Sequence, residues 1–259
     1  MTSLWYDKVM VIPLFKSHYS IGKSILTLDT PDSIPEEAAD SIFSIAKEEG
    51  LEDLFLVEDS LIGFLQAFTT AKDLGLNLRF GLRLSMVDSL GNAEAPCRHR
   101  RVIFARNSTG CKKLNQIYSF AFTEGGGSID TDHLKNLWDD NALKLVIPFY
   151  DSFIFQNLFS FSSCVPDFSF TSPYFFIEDN GVPFDALLRA AVEDYAARDG
   201  DATLNVKSIF YKERCDFEAF QTYKCICSRQ SFRKPSLESP NLDHCGSPEF
   251  SVESWRETT

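Results

Sequence analysis

Short apolar runs alternate about seven times with segments whose apolar residues recur at helical spacing, and this alternation constrains the possible folds most strongly. The apolar runs predict strands at residues 9–15, 54–57, 78–84, 101–105, 143–147, 174–177 and 202–206. The other segments predict helices between Ser33 and Gly50, at 61–74, 109–122, 132–138 and 213–226, and in the stretch that Pro183 opens. Alternation of this kind favours an α/β fold whose parallel sheet is either open or closed into a barrel.

The length of the chain, 259 residues, suits one domain of this class. The chain has no internal repeat and no long low-complexity linker, so we expect a single domain over residues 1–259. Two stretches give no clear pattern. These are residues 152–171, which are rich in Phe and Ser, and a proline-containing tail from about residue 228, which we expect to be irregular.

The chain carries 25 basic and 37 acidic residues, a net charge of −12. Such acidity opposes non-specific binding to nucleic acid, because neutralisation of phosphates supplies most of that affinity. One group of residues could form a local basic patch: Arg98, Arg100, Arg101, Arg106, Lys112 and Lys113. A solvated strand end and helix face is the commoner origin of such a group. We therefore expect protein partners, with nucleic acid reached only through a partner.

The cysteine pattern and the apolar runs indicate a compartment. Seven cysteines without a CxxC pair are typical of reduced thiols in a cytosol. No apolar run approaches the ~20 residues that a membrane helix needs. The first residues lack the basic and apolar regions of a secretory signal. We expect a cytoplasmic protein that makes no membrane contact.

The stretch VIFARNSTGCKKLNQIYSFAFTEG, from Val102 to Gly125, resembles a segment of the PHP (polymerase and histidinol phosphatase) domain of bacterial replicative DNA polymerases, of the DNA polymerase III alpha subunit type. Five further stretches resemble other parts of that domain in the same order: KSHYS (16–20), EDSLIGF (58–64), RFGLRL (79–84), FFIEDNGVP (175–183) and residues 236–257. The resemblance covers most of the chain. It implies a distorted barrel of about seven parallel strands with outer helices.

In active members of that family, His, Asp, Glu and Cys side chains at the strand ends hold up to three metal ions for phosphoester hydrolysis. The resemblance carries those ligand positions onto Leu14, Lys16, Val57, Glu58, Arg83, Arg100, Tyr150, Ser208 and Phe210. Most of these residue types are poor metal ligands. The whole chain has four histidines, which are scattered without an H-x-H pattern: His18, His99, His133 and His244. The resemblance therefore implies a degenerate metal site.

The residues at these positions suggest what replaces the metal ions. Lys16 and Arg83 bring fixed positive charge, and we predict that Glu58 pairs with both. Apolar side chains are predicted to fill the vacated space: Leu14, Val57 and Phe210. We therefore expect an ion-paired, packed plug where the active family has its metal centre.

Residues 17–24, SHYSIGKS, resemble a phosphate-binding P-loop that follows a strand. That loop needs a first glycine to bring backbone N–H groups around phosphate, and Ser17 stands there instead. His18 could be a general base or a residual metal ligand, although a partly exposed loop histidine is the commoner state. His99, which lies among arginines, could contact phosphate, although a solvated strand edge is the commoner place for such a residue. We expect His133 on an exposed helix face and His244 in the tail.

Two pairs of neighbouring acids follow predicted strands, at the end where barrels place their chemistry. These pairs are Glu58–Asp59 and Glu178–Asp179. Their carboxylates could hold Mg²⁺ through oxygen ligands, or they could cap the helices that follow.

Two functions remain open. The resemblance favours a catalytically inactive PHP-like domain, without catalytic residues or cofactor, that is a structural or interaction accessory of a replicative DNA polymerase. We expect it to dock the polymerase core, a proofreading exonuclease or both, and its divergence suggests a split polymerase or a viral (phage) relative in a host cytoplasm. The alternative is a metal-dependent phosphoesterase or 3′→5′ exonuclease that uses Mg²⁺, Mn²⁺ or Zn²⁺. The residues of that reduced site are His18, Glu58, Asp59 and Glu178.

Overall fold

The computed structural model of the protein describes residues 11–31, 39–87, 89–90, 98–160, 162–228 and 246–258. Strands in this part of the chain are Ile12–Phe15 (β1), Asp53–Glu58 (β2), Asn77–Val87 (β3), His99–Ala105 (β4), Ser128–Asp130 (β5), Leu143–Ile147 (β6), Tyr174–Ile177 (β7) and Ala202–Ile209 (β8). Helices are Ile42–Glu48 (α1), Phe64–Asp73 (α2), Ser108–Thr123 (α3), Thr131–Leu137 (α4), Phe153–Phe159 (α5), Asp185–Asp199 (α6), Phe217–Ser228 (α7) and Val252–Arg256 (α8). None of these helices combines the length and the hydrophobicity needed to cross a membrane.

Seven of the strands close into a barrel. Their order around the ring is β2-β1-β8-β7-β6-β4-β3, and the pairing of β2 with β3 closes it. The short strand β5 lies outside the ring, paired with the carboxyl end of β3. Helices pack on the barrel, with α2 against β3, α3 against β4 and α6 against β7 and β8. The expectation of a barrel with outer helices, rather than an open sheet, is therefore confirmed.

The expectation that all strands run parallel is wrong for β4. This strand pairs antiparallel with both β3 and β6, whereas the other six strands of the ring run parallel to one another. Parallel neighbours need a long crossover connection, whereas an antiparallel neighbour can follow after a short return of the chain. The apolar run at residues 101–105 predicts a strand but carries no information about its direction.

The interior of the barrel is filled by apolar side chains from alternate strand positions. These residues are Leu14, Phe55, Val57, Val102, Phe104, Val146, Phe176 and Val206. Gly81 on β3 faces the same space, where a Cβ atom would lie 2.8 Å from the ring of Phe104 and 2.9 Å from Val102. The absence of a side chain at Gly81 therefore makes space for the ring of Phe104.

Short polar side chains begin several helices by accepting hydrogen bonds from backbone N–H groups of the first turn. Ser41 caps α1, Asn107 caps α3, Asp130 caps α4 and Ser152 caps α5. The predicted cap Ser33, with Pro35 behind it, falls outside the described residues.

Two stretches without a clear sequence pattern contain regular structure. Residues 152–171 include α5, and the tail that we expected to be irregular includes α8. The indole Nε1 of Trp255 in α8 donates to the carbonyl oxygen of Val11 at 2.8 Å, which ties this helix to the start of β1. The expectation of an irregular tail is therefore wrong for residues 246–258, while residues 229–245 lie outside the described part.

Candidate functional site

A cavity of about 60 Å³ lies where the carboxyl ends of the parallel strands converge. Seven of the nine positions onto which the resemblance carries metal ligands line it: Leu14, Lys16, Val57, Arg83, Tyr150, Ser208 and Phe210. Glu58 and Arg100, the other two, are not part of its wall. The wall also includes the acids Asp151 and Glu178. The candidate site is therefore one cavity with cations, acids and apolar side chains together.

Two cations and two acids form an ion-pair network at this cavity. Lys16 Nζ lies 3.2 Å from Asp59 Oδ1, and Arg83 NH1 lies 3.6 Å from the same oxygen. Arg83 also donates to Asp151 through NH2. The Lys16 side chain is 6% exposed, whereas that of Asp59 is 31% exposed, so the network runs from the interior to the surface.

The charges of this network shift each other's pKa values. Burial alone raises the pKa of Asp59, but the positive charges of Lys16 and Arg83 outweigh it and hold the pKa of that carboxyl well below its usual range. Burial lowers the pKa of Lys16, and the charge of Asp59 opposes that effect. Burial, followed by repulsion from Arg83, lowers the pKa of Arg100.

The prediction that Glu58 pairs with Lys16 and Arg83 is wrong. Its carboxylate accepts a hydrogen bond from the Ser17 N–H at 2.7 Å and another from the Ser20 hydroxyl. Successive side chains of a strand point to opposite faces, so Val57 faces the barrel interior and Glu58 faces away from it. Burial raises the pKa of Glu58, while the nearby charge of Lys16 opposes that effect.

Glu58 braces the loop that resembles a P-loop. Its carboxylate accepts the hydrogen bond of the Ser17 N–H, which is then not free to bind a phosphate. The Ser20 hydroxyl also accepts a hydrogen bond from the Asp59 N–H at 2.9 Å. The described residues that follow the loop, 25–31, form no α-helix that could hold a phosphate at its N-terminus. The loop therefore lies against a protein carboxylate, in an arrangement unlike that of a nucleotide-binding loop.

His18 lies in this loop, where its ring contacts Tyr19 and Leu26. The ring lies 4.3 Å from that of Tyr19, and Nδ1 lies 3.4 Å from the carbonyl oxygen of Leu26. The four residues of the reduced metal site are thus split. Glu178 lines the cavity, and Asp59 pairs with Lys16. Glu58 ends β2 and binds the loop through Ser17, and His18 lies within that loop.

Glu178 is buried and held by three hydrogen bonds. Asn180 Nδ2 donates to it at 2.9 Å, the Ser208 N–H at 3.0 Å and the Ser208 hydroxyl at 2.9 Å. Burial raises its pKa, and these hydrogen bonds oppose the rise. The neighbouring Asp179 is exposed, and its carbonyl oxygen accepts from Lys207 Nζ at 2.7 Å.

Tyr150 extends the Glu178 network. Its hydroxyl donates to Asp185 Oδ1 at 2.8 Å and accepts from Asn180 Nδ2 at 3.2 Å. Burial raises the pKa of Tyr150 far above its usual value, and the charges of Glu178 and Asp185 add to the rise. This phenol therefore stays protonated in the folded protein.

The sequence did not single out Asp151, Asn180 or Asp185. Asp151 follows a predicted strand by four residues and has a left-handed backbone with a φ of 60°, which aspartate adopts more readily than most residues. Asp151 could have been predicted as a site residue, because it is an acid that shortly follows a predicted strand and should lie at the same barrel end as Asp59.

The basic patch considered for residues 98–113 does not include all of its candidate residues on one surface. Arg101 is fully buried, with its guanidinium carbon 4.9 Å from the centre of the Phe168 ring. His99 is also buried, at 4% exposure, so its expected place at a solvated strand edge is wrong. Its Nδ1 lies 3.6 Å from the Cys164 sulfur. Alternation along β4 explains the burial, because residues 99, 101 and 103 share one face.

His133 is partly exposed on α4 as expected, and its ring also contacts two neighbouring side chains. Its Nδ1 lies 2.6 Å from Asp130 Oδ1, and its ring stacks on Phe120. His244 falls outside the described residues. Among the residues that the structure describes, no group of three or more His, Cys, Asp or Glu side chains is arranged to hold a metal ion.

No protein-family model matches the sequence, and no curated protein matches it at a significant level. The resemblance to the PHP domain therefore rests on the residues and motifs of this chain alone.

Proposed function

We propose that the protein is a catalytically inactive PHP-like domain that acts as a structural and interaction accessory of a replicative DNA polymerase. It docks the polymerase core, a proofreading exonuclease or both, and it reaches nucleic acid only through that partner. Six stretches that resemble the PHP domain in order support the proposal, and so does the closed barrel. The net charge of −12 favours protein partners over naked nucleic acid.

The observation that carries the proposal is the ion-pair network at the cavity. Lys16 and Arg83 share Asp59, and Arg83 also binds Asp151, at the barrel end where the active family holds its metal ions. A divalent cation that enters this cavity meets two fixed positive charges. It must also break ion pairs that are partly removed from water, at a cost on the order of several kcal/mol. The network therefore favours closure of this end over metal-dependent hydrolysis.

Co-purification tests the proposal. A tagged full-length chain is captured from the cells that produce it, and the eluate is assayed for extension of a primed DNA template and for digestion of 3′-labelled DNA. The matched control is the untagged chain carried through the same steps. We expect primer extension, exonuclease activity or both in the tagged eluate only. An eluate with neither activity, from cells that replicate DNA, contradicts the proposal.

One observation favours the alternative, a metal-dependent phosphoesterase or 3′→5′ exonuclease. Asp151 and Glu178 line the cavity, and Asp59 pairs with Lys16 of the cavity wall, so three carboxylates lie in or beside one cavity. Carboxylate oxygens suit Mg²⁺ and Mn²⁺. This function predicts that the purified chain hydrolyses 3′-labelled DNA in the presence of Mn²⁺, that EDTA stops the reaction, and that Glu178→Gln abolishes it.

A further inference from the structure

A second concavity, of about 440 Å³, lies on the outside of the barrel. It is lined by α2, β3, the end of β4 and the start of α3: Leu61, Phe64, Phe68, Leu78, Arg79, Phe80, Ala105, Arg106, Asn107, Ser108, Cys111, Leu114 and Asn115. We call it the α2–α3 groove. It shares none of its lining residues with the cavity at the barrel end.

An aromatic series forms one side of the α2–α3 groove, from the sheet out to solvent. Phe80 of β3 is buried and meets Phe64 edge to face at 5.1 Å. Phe64 in turn stacks on Phe68, with their centres 5.9 Å apart. Phe68 is 51% exposed, and Leu65, three positions before it on α2, is 72% exposed. Grouped apolar exposure of this kind marks interaction sites more often than isolated exposed residues do.

The opposite side is one face of α3. Ser108, Cys111 and Asn115 line the groove at helical spacing. The same spacing continues to Tyr118 and Phe122, whose rings lie 4.5 Å apart, and Phe122 is 51% exposed. Both helices therefore present aromatic side chains to solvent beside the groove.

The reversed strand β4 explains why the two helices flank this face. The helix α2 precedes β3 and α3 follows β4, so two strands separate the helices along the chain. Antiparallel strands need no crossover helix between them, and such a helix is what covers the outer face of a parallel pair. The outer face of β3 and β4 thus forms a floor between α2 and α3.

The charge of the α2–α3 groove is opposite to that of the whole chain. The charged residues among those that line it are Arg79 and Arg106, with no acid, in a chain that has a net charge of −12. Arg79 pairs with Asp53 at 3.0 Å, but the exposed Arg106 donates to a neutral acceptor, the carbonyl oxygen of Asp140, at 2.9 Å. The α3 N-terminus follows Arg106 and adds partial positive charge. An acidic group is the complementary ligand.

We propose that the α2–α3 groove binds an acidic, amphipathic helical segment of a partner protein. Apolar side chains of that segment pack on Phe64 and Phe68, and a carboxylate of the segment pairs with Arg106. Recognition of a helix in an apolar groove between two helices is a recurring mode of peptide binding. A second copy of this chain fits less well, since two molecules of net charge −12 repel each other. The inference rests on the proposed function, because it identifies the surface through which this accessory docks its partner.

Peptide selection on the full-length protein tests the proposal. A phage library of random peptides of about 16 residues, long enough to form a helix, is panned against the protein. We expect enrichment of sequences that combine Asp or Glu with Leu, Ile, Phe or Trp at helical spacing. Failure to enrich such sequences overturns the proposal.

The enriched peptides are then synthesised with a fluorescent label, and their affinities are measured by polarisation against matched variants. We expect Phe68→Ser and Arg106→Glu each to weaken binding at least about tenfold, as removal of a central contact does. The controls Leu187→Ser and Arg198→Glu change an exposed leucine and an exposed arginine of α6, and we expect them to bind like the original protein. Equal affinity for Phe68→Ser and the original protein overturns the proposal. So does a concentration-dependent dimer that Phe68→Ser dissociates, because a second copy is then the occupant.

The same variant separates this inference from the proposed function. If polymerase or exonuclease activity co-purifies with the original chain and is lost with Phe68→Ser but kept with Leu187→Ser, both proposals are supported. If Phe68→Ser retains that activity, the accessory function stands and the groove is not its docking surface. If neither activity co-purifies while peptide binding depends on Phe68, the groove stands as a peptide site and the polymerase function fails.

Discussion

Lys16 reaches the cavity from the end of β1 with 5% of its surface exposed, and its ammonium group meets Asp59 at 3.2 Å. The resemblance places a metal-binding histidine at this position. The lysine at this position supplies a fixed positive charge that pairs with Asp59. The sequence alone predicts a positive charge at this end of the barrel, because Lys16 directly follows a predicted buried strand.

We expect Lys16→Met to lower the free energy of unfolding by about 3 kcal/mol, the lower end of the cost of removing one partner from a buried ion pair. Asp59 keeps Arg83 as a partner, which limits the loss. The change is measured by urea denaturation at neutral pH. Lys47→Met, at an exposed lysine of α1, is the control and should cost little. If Lys16→Met is as stable as the original protein, the plug does not exist.

Asp59 predicts a dependence of stability on pH. Its pKa in the folded protein is lowered, so its contribution is fully present above the pKa of an unfolded aspartate, about 4, and is lost as the pH falls towards the folded value. We expect Asp59→Asn to be less stable than the original protein at pH 7 and the difference to shrink below about pH 4. Asp179→Asn, at an exposed acid, is the control. A difference that stays constant or grows in acid contradicts the assignment.

Glu58 illustrates what the sequence could not show at this scale. Glu58 and Asp59 are neighbouring acids, and the choice between them depends on which one shares a face with Val57 in the barrel interior. A change of one residue in register moves every side chain of a strand to the other face. The sequence could therefore predict that Lys16 and Arg83 pair with an acid. Only the structure shows that this acid is Asp59 and not Glu58.

At the scale of the elements, β4 marks the limit of sequence reasoning. Its apolar residues predict a strand and its neighbours predict helices, but strand direction depends on contacts that are distant in the chain. The reversal also shapes the interior, where Phe104 of β4 lies opposite Gly81 of β3. The apolar pattern of residues 78–84 gives no sign that a glycine is required there.

We expect Gly81→Ala to destabilise the protein by about 1–3 kcal/mol, the usual cost of overpacking a core. Its Cβ would lie 2.8 Å from the Phe104 ring and 2.9 Å from Val102. The double variant Gly81→Ala with Phe104→Leu should recover part of the loss, because leucine vacates the space of the ring. The two single variants and the double variant are compared by urea denaturation. Additive losses in the double variant contradict this packing.

At the scale of the whole molecule, the net charge and the strand topology both bear on how the protein could contact a partner. The chain has a net charge of −12, and Arg101, a member of the basic patch considered from the sequence, is buried inside the fold. The end of the barrel is occupied by ion pairs, and the outer face of β3 and β4 forms the floor of a groove. Composition predicts the preference for protein partners, but it gives no position for the groove, because that position follows from the antiparallel strand.

The measurement that tests the central claim most directly is the metal content of the purified protein. The protein is incubated with excess Zn²⁺, Mn²⁺ or Mg²⁺, desalted and examined by elemental analysis. A barrel end closed by Lys16, Arg83, Asp59 and Asp151 predicts less than about a tenth of an equivalent of any of these metals, in contrast to a tight multinuclear centre. One equivalent or more, lost on Glu58→Gln or Glu178→Gln, would contradict the account and establish a metal site built from carboxylates.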